Sequence, residues 1–318
     1  MDPVSPHPRD VSSEWILRPG GKPLFIFAHQ DDETVLAGII HRIIGVGLPE
    51  GGSFVWWTNG DGLYEGTGMS PAEYARMRIA ESSEALRRLG GSEGRKTDLE
   101  SSEIENYRRL THVAEGGSRR EAALDYFCGE AEHVEQAVRA ADPDRVFLLA
   151  WQGGHPEHDL VHVMTARAVK RLRAETGRPI PIIQCPAYEY LIACALRFKP
   201  WYRGDRRHIV LTSAERDMKR RVFDAYPSQE KLLRRFAALI KVIGLAGLVR
   251  GRRTTVEDYV ATEEFGVVDP ALDYCRSTHR VEICNYMFDD FEGIPIRYDS
   301  MVRPVVAMLL RTKIGSST

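Results

Sequence analysis

One feature constrains the fold of this chain more than any other: a short apolar run that recurs with a polar ending. Residues 24–28 read LFIFA, 53–58 read SFVWWT and 145–150 read RVFLLA. Runs of this length without polar alternation fit strands buried on both faces of a parallel sheet. The first gives way to His29-Gln30-Asp31-Asp32-Glu33 and the second to Asn59-Gly60-Asp61-Gly62. The third leads within a few residues to His155-Pro156-Glu157-His158-Asp159. Helical spacing follows over 34–46, 71–89 and 160–175, with Gly90-Gly91 ending the second of these helices. A further helix is expected over 126–140, a turn at Asp142-Pro143-Asp144 and a fourth strand over 181–185. The alternation implies an α/β protein with a Rossmann-like, mostly parallel sheet and helices on both faces. Ligands of such sheets bind in the crevice beyond the carboxyl ends of the strands. The polar clusters lie there.

Around this core, residues 1–21 read as a loose N-terminal leader and 92–118 as a polar, irregular insert. Helices are expected over 214–225 and 229–249. The main domain spans 22–266, and 267–318 forms a C-terminal helical or mixed extension without a clear motif. The 318 residues suffice for one large domain with an internal cleft. A net charge of −2 argues against a nucleic-acid partner. The five cysteines are odd in number and form no CxxC pair, which fits free thiols in a reducing compartment. There is no signal-like apolar segment, and no apolar run reaches the roughly 18 residues of a membrane span. A cytoplasmic protein is expected. The apolar stretch 232–249, with basic ends, fits a buried or oligomer-forming helix, or alternatively one lying on a membrane surface.

The two histidine-bearing clusters carry the chemistry. Zinc hydrolases use about three protein ligands, mostly imidazole and carboxylate, and keep a position for water. The metal lowers the pKa of that water, and a nearby carboxylate takes its proton. The first cluster offers His29, Asp31, Asp32 and Glu33; the second offers His155, Glu157, His158, Asp159 and His162. At a strand-to-helix turn, His29 and Asp32 can face a metal while Asp31 points across to the water. Either cluster alone is explained by helix capping, since Asp favours helix N-termini. Two clusters at equivalent sheet positions are not. If strands 24–28 and 145–150 are neighbours, both meet at one crevice. A set of His155, His158 and His162 is an alternative that leaves the first cluster unemployed.

His29-Gln30-Asp31-Asp32-Glu33 resembles the AHPDDE signature of the LmbE/PIG-L deacetylases, and His155-Pro156-Glu157-His158 resembles their HPDH signature. Further similarities run in order: Thr58-Asn59-Gly60, Arg78 with Glu81, Asp142-Pro143-Asp144, Lys219 through Tyr226-Pro227-Ser228-Gln229, and Glu264-Phe265. The resemblance covers about 22–266. It implies zinc-dependent removal of an N-acyl group, most simply N-acetyl, from N-acetylglucosamine or a related amino sugar or glycoconjugate. Carried over residue by residue, it makes His29, Asp32 and His158 the metal ligands and Asp31 the general base. His155, protonated, would steady the oxyanion, with Glu157 orienting it; Arg78 would contact substrate. Fe2+ suits the same ligands. Asn59 and Asp61 are expected to hold substrate hydroxyls or to form only a turn.

The chain departs from the family pattern at Gln30 (usually Pro), Glu157 (usually Asp) and Tyr226 (usually His). Some members also carry a Tyr two residues before the first His of HPDH. Here that position is Gly153, and Gln152 or Trp151 is expected to supply the missing polar help. Two other functions remain open on the sequence: a non-catalytic sugar- or nucleotide-binding protein, and a nucleotide-sugar transferase on a similar sheet.

Overall fold

A computed structural model of the chain describes residues 11–45, 52–187, 196–199, 201–231 and 255–311, with positions 234 and 238. The apolar runs form strands β1 (Pro23–Phe27) and β2 (Ser53–Thr58). After β3 (Lys96–Ser101) come β4 (Arg145–Leu149), β5 (Ile182–Cys185), β6 (Arg207–Val210) and β7 (Thr262–Val267). They make one sheet in the order β3-β2-β1-β4-β5-β7-β6. The first five are parallel, and β7 runs antiparallel to both β5 and β6. The mostly parallel sheet predicted from the sequence is therefore observed, with an antiparallel edge.

Strand order reverses at β1: the chain builds outward to β3, then returns to the other side of β1 to lay down β4 and β5. The junction of β1 with β4 is thus the topological switch point, where the adjoining connections diverge and leave a crevice. Leu24 is paired with Val146 and Phe25 with Phe147.

Helices cover both faces. Leu24, Ile26, Trp57, Val146 and Leu148 point to one side, against α4 (Glu103–Glu115), α5 (Gly117–Ala141), α6 (Pro156–Thr176) and the C-terminal helix Arg303–Arg311. Phe25, Phe27, Phe54, Trp56, Phe147 and Leu149 point to the other. There they meet α1 (Ser13–Leu17), α2 (Ala37–Ile44), α3 (Pro71–Leu89) and α7 (Ser213–Phe223). The period of two along a strand sends Trp56 and Trp57 into opposite cores, both fully buried. Phe25 stacks on Phe54 and Phe147, with ring centroids 4.9 and 5.0 Å away, which fills the space across three adjacent strands.

Several expectations are corrected. The insert 92–118 is not irregular: it holds β3 and α4. β3 reads KTDLES, and its polar residues are those of an edge strand, which carries charge to avoid pairing with other sheets. Ser102 caps α4 by accepting the Glu105 N–H. The helix expected over 126–140 begins as early as Gly117. The helix expected over 34–46 is a 3-10 turn, Asp32–Thr34, followed by α2. Within 1–21, residues 13–17 form a helix that buries Ile16 completely, and Arg18 pairs with Asp144 at 3.0 Å. The short charged strands β6 and β7 lack an apolar run and went unread. The helix expected over 229–249 lies almost wholly outside the described residues. Among the described residues, no helix is long and apolar enough to cross a membrane.

One buried ion pair fixes the turn that follows β1. Glu263 of β7 accepts the N–H groups of Gly38 and Ile39, at 2.9 and 2.8 Å, and so caps α2 from across the fold. Lys219 of α7 meets the same carboxylate at 2.6 Å and donates to Val35 O at 2.9 Å. Both side chains are essentially inaccessible. Lys219→Met would leave the Glu263 charge buried and unpaired. We expect it to lower the unfolding free energy by about 3–5 kcal/mol, measured by denaturant titration.

Candidate active site

The first cluster is held by its own backbone. Asp32 Oδ2 accepts the N–H groups of Ala28 and His29, at 3.0 and 2.9 Å, which curls the chain just beyond β1. Its other oxygen, Oδ1, is left to face His158 Nε2 at 3.1 Å. His158 arrives on the first turn of α6, which follows β4. His29 Nδ1 lies 3.0 Å from His158 Nε2 and 3.7 Å from Asp32 Oδ2. Residues 129 positions apart in sequence therefore converge on one point.

These separations suit a metal. Ligand atoms about 2.0–2.1 Å from a tetrahedral ion stand roughly 3.3 Å from one another. His158 Nε2 stands near that spacing from both His29 Nδ1, at 3.0 Å, and Asp32 Oδ1, at 3.1 Å, while His29 Nδ1 lies 3.7 Å from the other Asp32 oxygen. The carboxylate is ionised: burial would raise its pKa, but His158 and His29 hold it well below the usual range. His155 also comes within range, since ligand atoms of His29, His155 and His158 all lie within 4.8 Å of one another, as do those of His29, Glu103 and Glu157.

Asp31 stands beside this point in a strained backbone conformation. Its φ of 124° is one that side-chain-bearing residues avoid, because Cβ crowds the backbone. Such strain persists only where the surroundings enforce it, and it clusters at functional sites. The surroundings here are Glu33, which accepts the Asp31 N–H at 3.3 Å, and Arg78, 3.1 Å from Asp31 Oδ2. Burial raises the Asp31 pKa to about 6 against the opposing pull of Arg78. Tyr226 donates to Glu33 at 2.5 Å and so backs this turn.

Two residues make contacts other than those expected, and a further pair takes the turn alternative. Arg78 is 3% exposed; it grips Asp31 and Gln30 O, with Glu81 and Ser228 as its other partners. It locks the turn and presents no face to a substrate. Glu157 does not orient His155. The extra methylene relative to Asp carries its carboxylate to His29 Nε2 at 2.8 Å, with Asn106 Nδ2 on the other oxygen at 2.8 Å. It therefore orients the His29 imidazole, a task carboxylates commonly serve beside metal sites. Asp61 accepts from Ser102 Oγ at 2.7 Å and Ile104 N at 3.2 Å, which anchors the start of α4. Asn59 accepts the Asp61 N–H at 3.0 Å, so the pair forms a turn. The set His155, His158 and His162 is excluded by position: His162 is fully buried between Leu149 O at 2.8 Å and Tyr274 OH at 3.1 Å.

His155 differs from expectation in its charge. Burial, and then the adjacent His29 and His158, push its pKa well below the ordinary histidine value, so the ring is neutral. Nδ1 accepts the Glu157 N–H at 3.3 Å, which puts the ring proton on Nε2. There it meets two residues that went unread in the sequence, Tyr107 OH at 3.2 Å and Asp289 Oδ1 at 3.5 Å. Neither Gln152, whose side chain accepts from Ala187 N, nor Trp151, packed edge-on against Tyr274, has a recorded contact with His155. Tyr107 sits in the polar insert and Asp289 in the C-terminal segment, and no motif marks either.

The strain at Asp31 makes a testable difference. Asp31→Gly relieves the Cβ contact that Asp31→Ala keeps, so the glycine variant is expected to be more stable by about 1–2 kcal/mol. Thermal and denaturant unfolding of the two variants would measure it.

Comparison with known proteins places this geometry. Residues 24–169 match the family described as PIG-L, GlcNAc-PI de-N-acetylase. Among solved structures, the A40926 pseudoaglycone deacetylase Dbv21 is 18% identical, with 79% of this chain and 99% of that one covered and a TM-score of 0.50. A deacetylase of the teicoplanin biosynthesis pathway is 16% identical over 78% and 99%, with a TM-score of 0.51. The N,N'-diacetylchitobiose deacetylase from Pyrococcus horikoshii is 18% identical over 78% and 84%, also at 0.51. At these identities the likeness establishes a shared fold. No curated protein sequence matches the chain. Both histidine-bearing clusters fall inside the segment, residues 24–169, that matches the PIG-L (LmbE-like) family.

Proposed function

We propose that the chain is a metal-dependent amidohydrolase that removes an N-acyl group, typically N-acetyl, from an amino sugar or glycoconjugate. The observation that carries this reading is the approach of His158 Nε2 to both His29 Nδ1 and Asp32 Oδ1 at metal-ligand spacing, with a strained Asp31 beside them. A non-catalytic binding protein would have no use for a carboxylate held at that energetic cost, and a nucleotide-sugar transferase would have none for the three converging donors. The structural neighbours, themselves deacetylases, support the same class of substrate.

His29, Asp32 and His158 would hold the ion, with Glu157 fixing the ring of His29. Two imidazoles and a carboxylate suit Zn2+, and Fe2+ as well. When bound, the ion supplies a water acidic enough to act as a nucleophile near neutral pH. The chain's own residues then handle protons and charge. Asp31, fixed by Arg78, takes the proton of the attacking water and returns it to the leaving amine. His155, neutral and protonated on Nε2, donates to the oxyanion of the tetrahedral intermediate, which takes over that N–H from the Tyr107 oxygen facing it in the free protein. The described cysteines, Cys128, Cys185, Cys275 and Cys284, are all free, which supports a reducing, cytoplasmic setting.

Release of primary amine from N-acetylglucosamine conjugates, measured with and without added zinc, tests the reading. Asp31→Ala should bind metal normally and lose about 10²–10⁴-fold in kcat. His29→Ala should lose both metal and activity, whereas His155→Ala should keep the metal. If His155→Ala instead emptied the site, the ligand set would be His29, His155 and His158. Full activity in Asp31→Ala would sink the mechanism.

A further inference from the structure

The C-terminal segment that follows β7 braces the loop carrying His155. Tyr286 N donates to Gly153 O at 2.9 Å, and Tyr286 OH donates to Asp159 Oδ2 at 2.8 Å. Asp159 in turn accepts the N–H groups of Gln152 and Gly153, at 3.1 and 3.0 Å. Thr278 Oγ1 donates to Gln152 O at 3.0 Å. At Gly153, φ is +70°, and a Cβ would run into Thr278 and Asn285. The segment therefore fills the volume that a side chain at 153 would need, and only glycine fits there.

The same segment delivers Asp289. Its Oδ1 accepts from Tyr107 OH at 2.9 Å and lies 3.5 Å from His155 Nε2, while Tyr107 OH is itself 3.2 Å from that nitrogen. Asp289 is largely buried, and its Oδ2 has no hydrogen-bond partner among the described residues. A buried carboxylate is costly unless it is used. Glu157, the neighbour expected to orient His155, is committed to His29 and Asn106. Among the described residues, Tyr107 of α4 and Asp289 of the C-terminal segment stand on the proton-bearing side of the His155 ring.

We propose that Asp289 and Tyr107 are the positioning pair for His155. Asp289 accepts the Tyr107 proton, so the phenol oxygen turns its lone pairs toward His155 Nε2–H and holds the ring in the Nε2–H tautomer. The C-terminal segment thus completes the catalytic loop, and the Glu157 carboxylate serves the His29 side, only its backbone N–H reaching His155. The proposal rests on the hydrolase reading for its catalytic consequence, but not for its geometry.

The full-length protein, with isotope-labelled histidine, gives a readout independent of turnover. His155 ring resonances are assigned by their loss in His155→Ala. Asp289→Asn and Tyr107→Phe should shift those resonances toward a mixture of tautomers and leave those of His29 and His158 in place. Glu157→Gln should do the reverse, shifting His29 first. In amine-release assays Asp289→Asn should retain bound metal and an unchanged KM while kcat falls about 10–100-fold, with partial rescue in Asp289→Glu. The loss should vanish in a His155→Ala background, since the pair acts through that ring. Unchanged His155 resonances in Asp289→Asn and Tyr107→Phe would overturn the positioning pair whether or not the protein hydrolyses amides. Shifted resonances in a protein that releases no amine would uphold the pair and count against the hydrolase reading instead.

Discussion

The parallel pairing of β1 with β4 is the constraint on which the site depends. Strand order reverses there, so the two connections leave the sheet in opposite directions and open a crevice between them. Both polar clusters leave the sheet at that crevice. Without this pairing, His29 and His158 would belong to separate helix caps. With it, they lie 3.0 Å apart and share Asp32 as a neighbour. The buried Glu263–Lys219 pair serves this junction from behind, because it fixes the start of α2 and hence the turn in which Asp31 and Asp32 sit.

Around the junction the protein concentrates carboxylates in a place that resists charge. Burial raises Asp31 to about 6, Glu33 to about 7 and Glu103 to about 7, while Asp32 alone is held well below its usual range by the facing imidazoles. Arg78 offsets part of this charge at Asp31, and backbone N–H groups offset part at Asp32. A crowd of buried acids beside imidazoles is the arrangement that a divalent cation stabilises. The two acidic neighbours in the first cluster are thereby divided: Asp32 is pinned by backbone donors and faces the histidines, and Asp31 is strained and kept by a single arginine.

The sequence disclosed much of the fold where the signal was local. LFIFA, SFVWWT and RVFLLA were legible as strands because a strand buried on both faces must be apolar at every position. The edge strands β3 and β6 were not, because an edge strand carries polar residues and loses the pattern that would mark it, and β7, between β5 and β6, has its run broken by Glu263 and Glu264. The family resemblance pointed to His29, Asp32 and His158, and with them Asp31. It assigned Arg78 to substrate and Glu157 to His155, and both assignments gave way to contacts across the fold: Arg78 reaches back to Asp31, and one extra methylene takes Glu157 to His29.

The chain by itself therefore determined the class of fold and the identity of the chemical groups, since strand burial and ligand type are written in residue identity and short-range spacing. Only the tertiary structure decided which partner each group has. Tyr107 and Asp289 are 182 positions apart and lie on elements with no motif, yet they share a hydrogen bond at 2.9 Å beside His155. Such a contact depends on how α4 and the C-terminal segment pack against the sheet. Hydrogen bonding is short-ranged and directional, so a displacement of about 1 Å makes or breaks it, and no local pattern in the sequence records that distance.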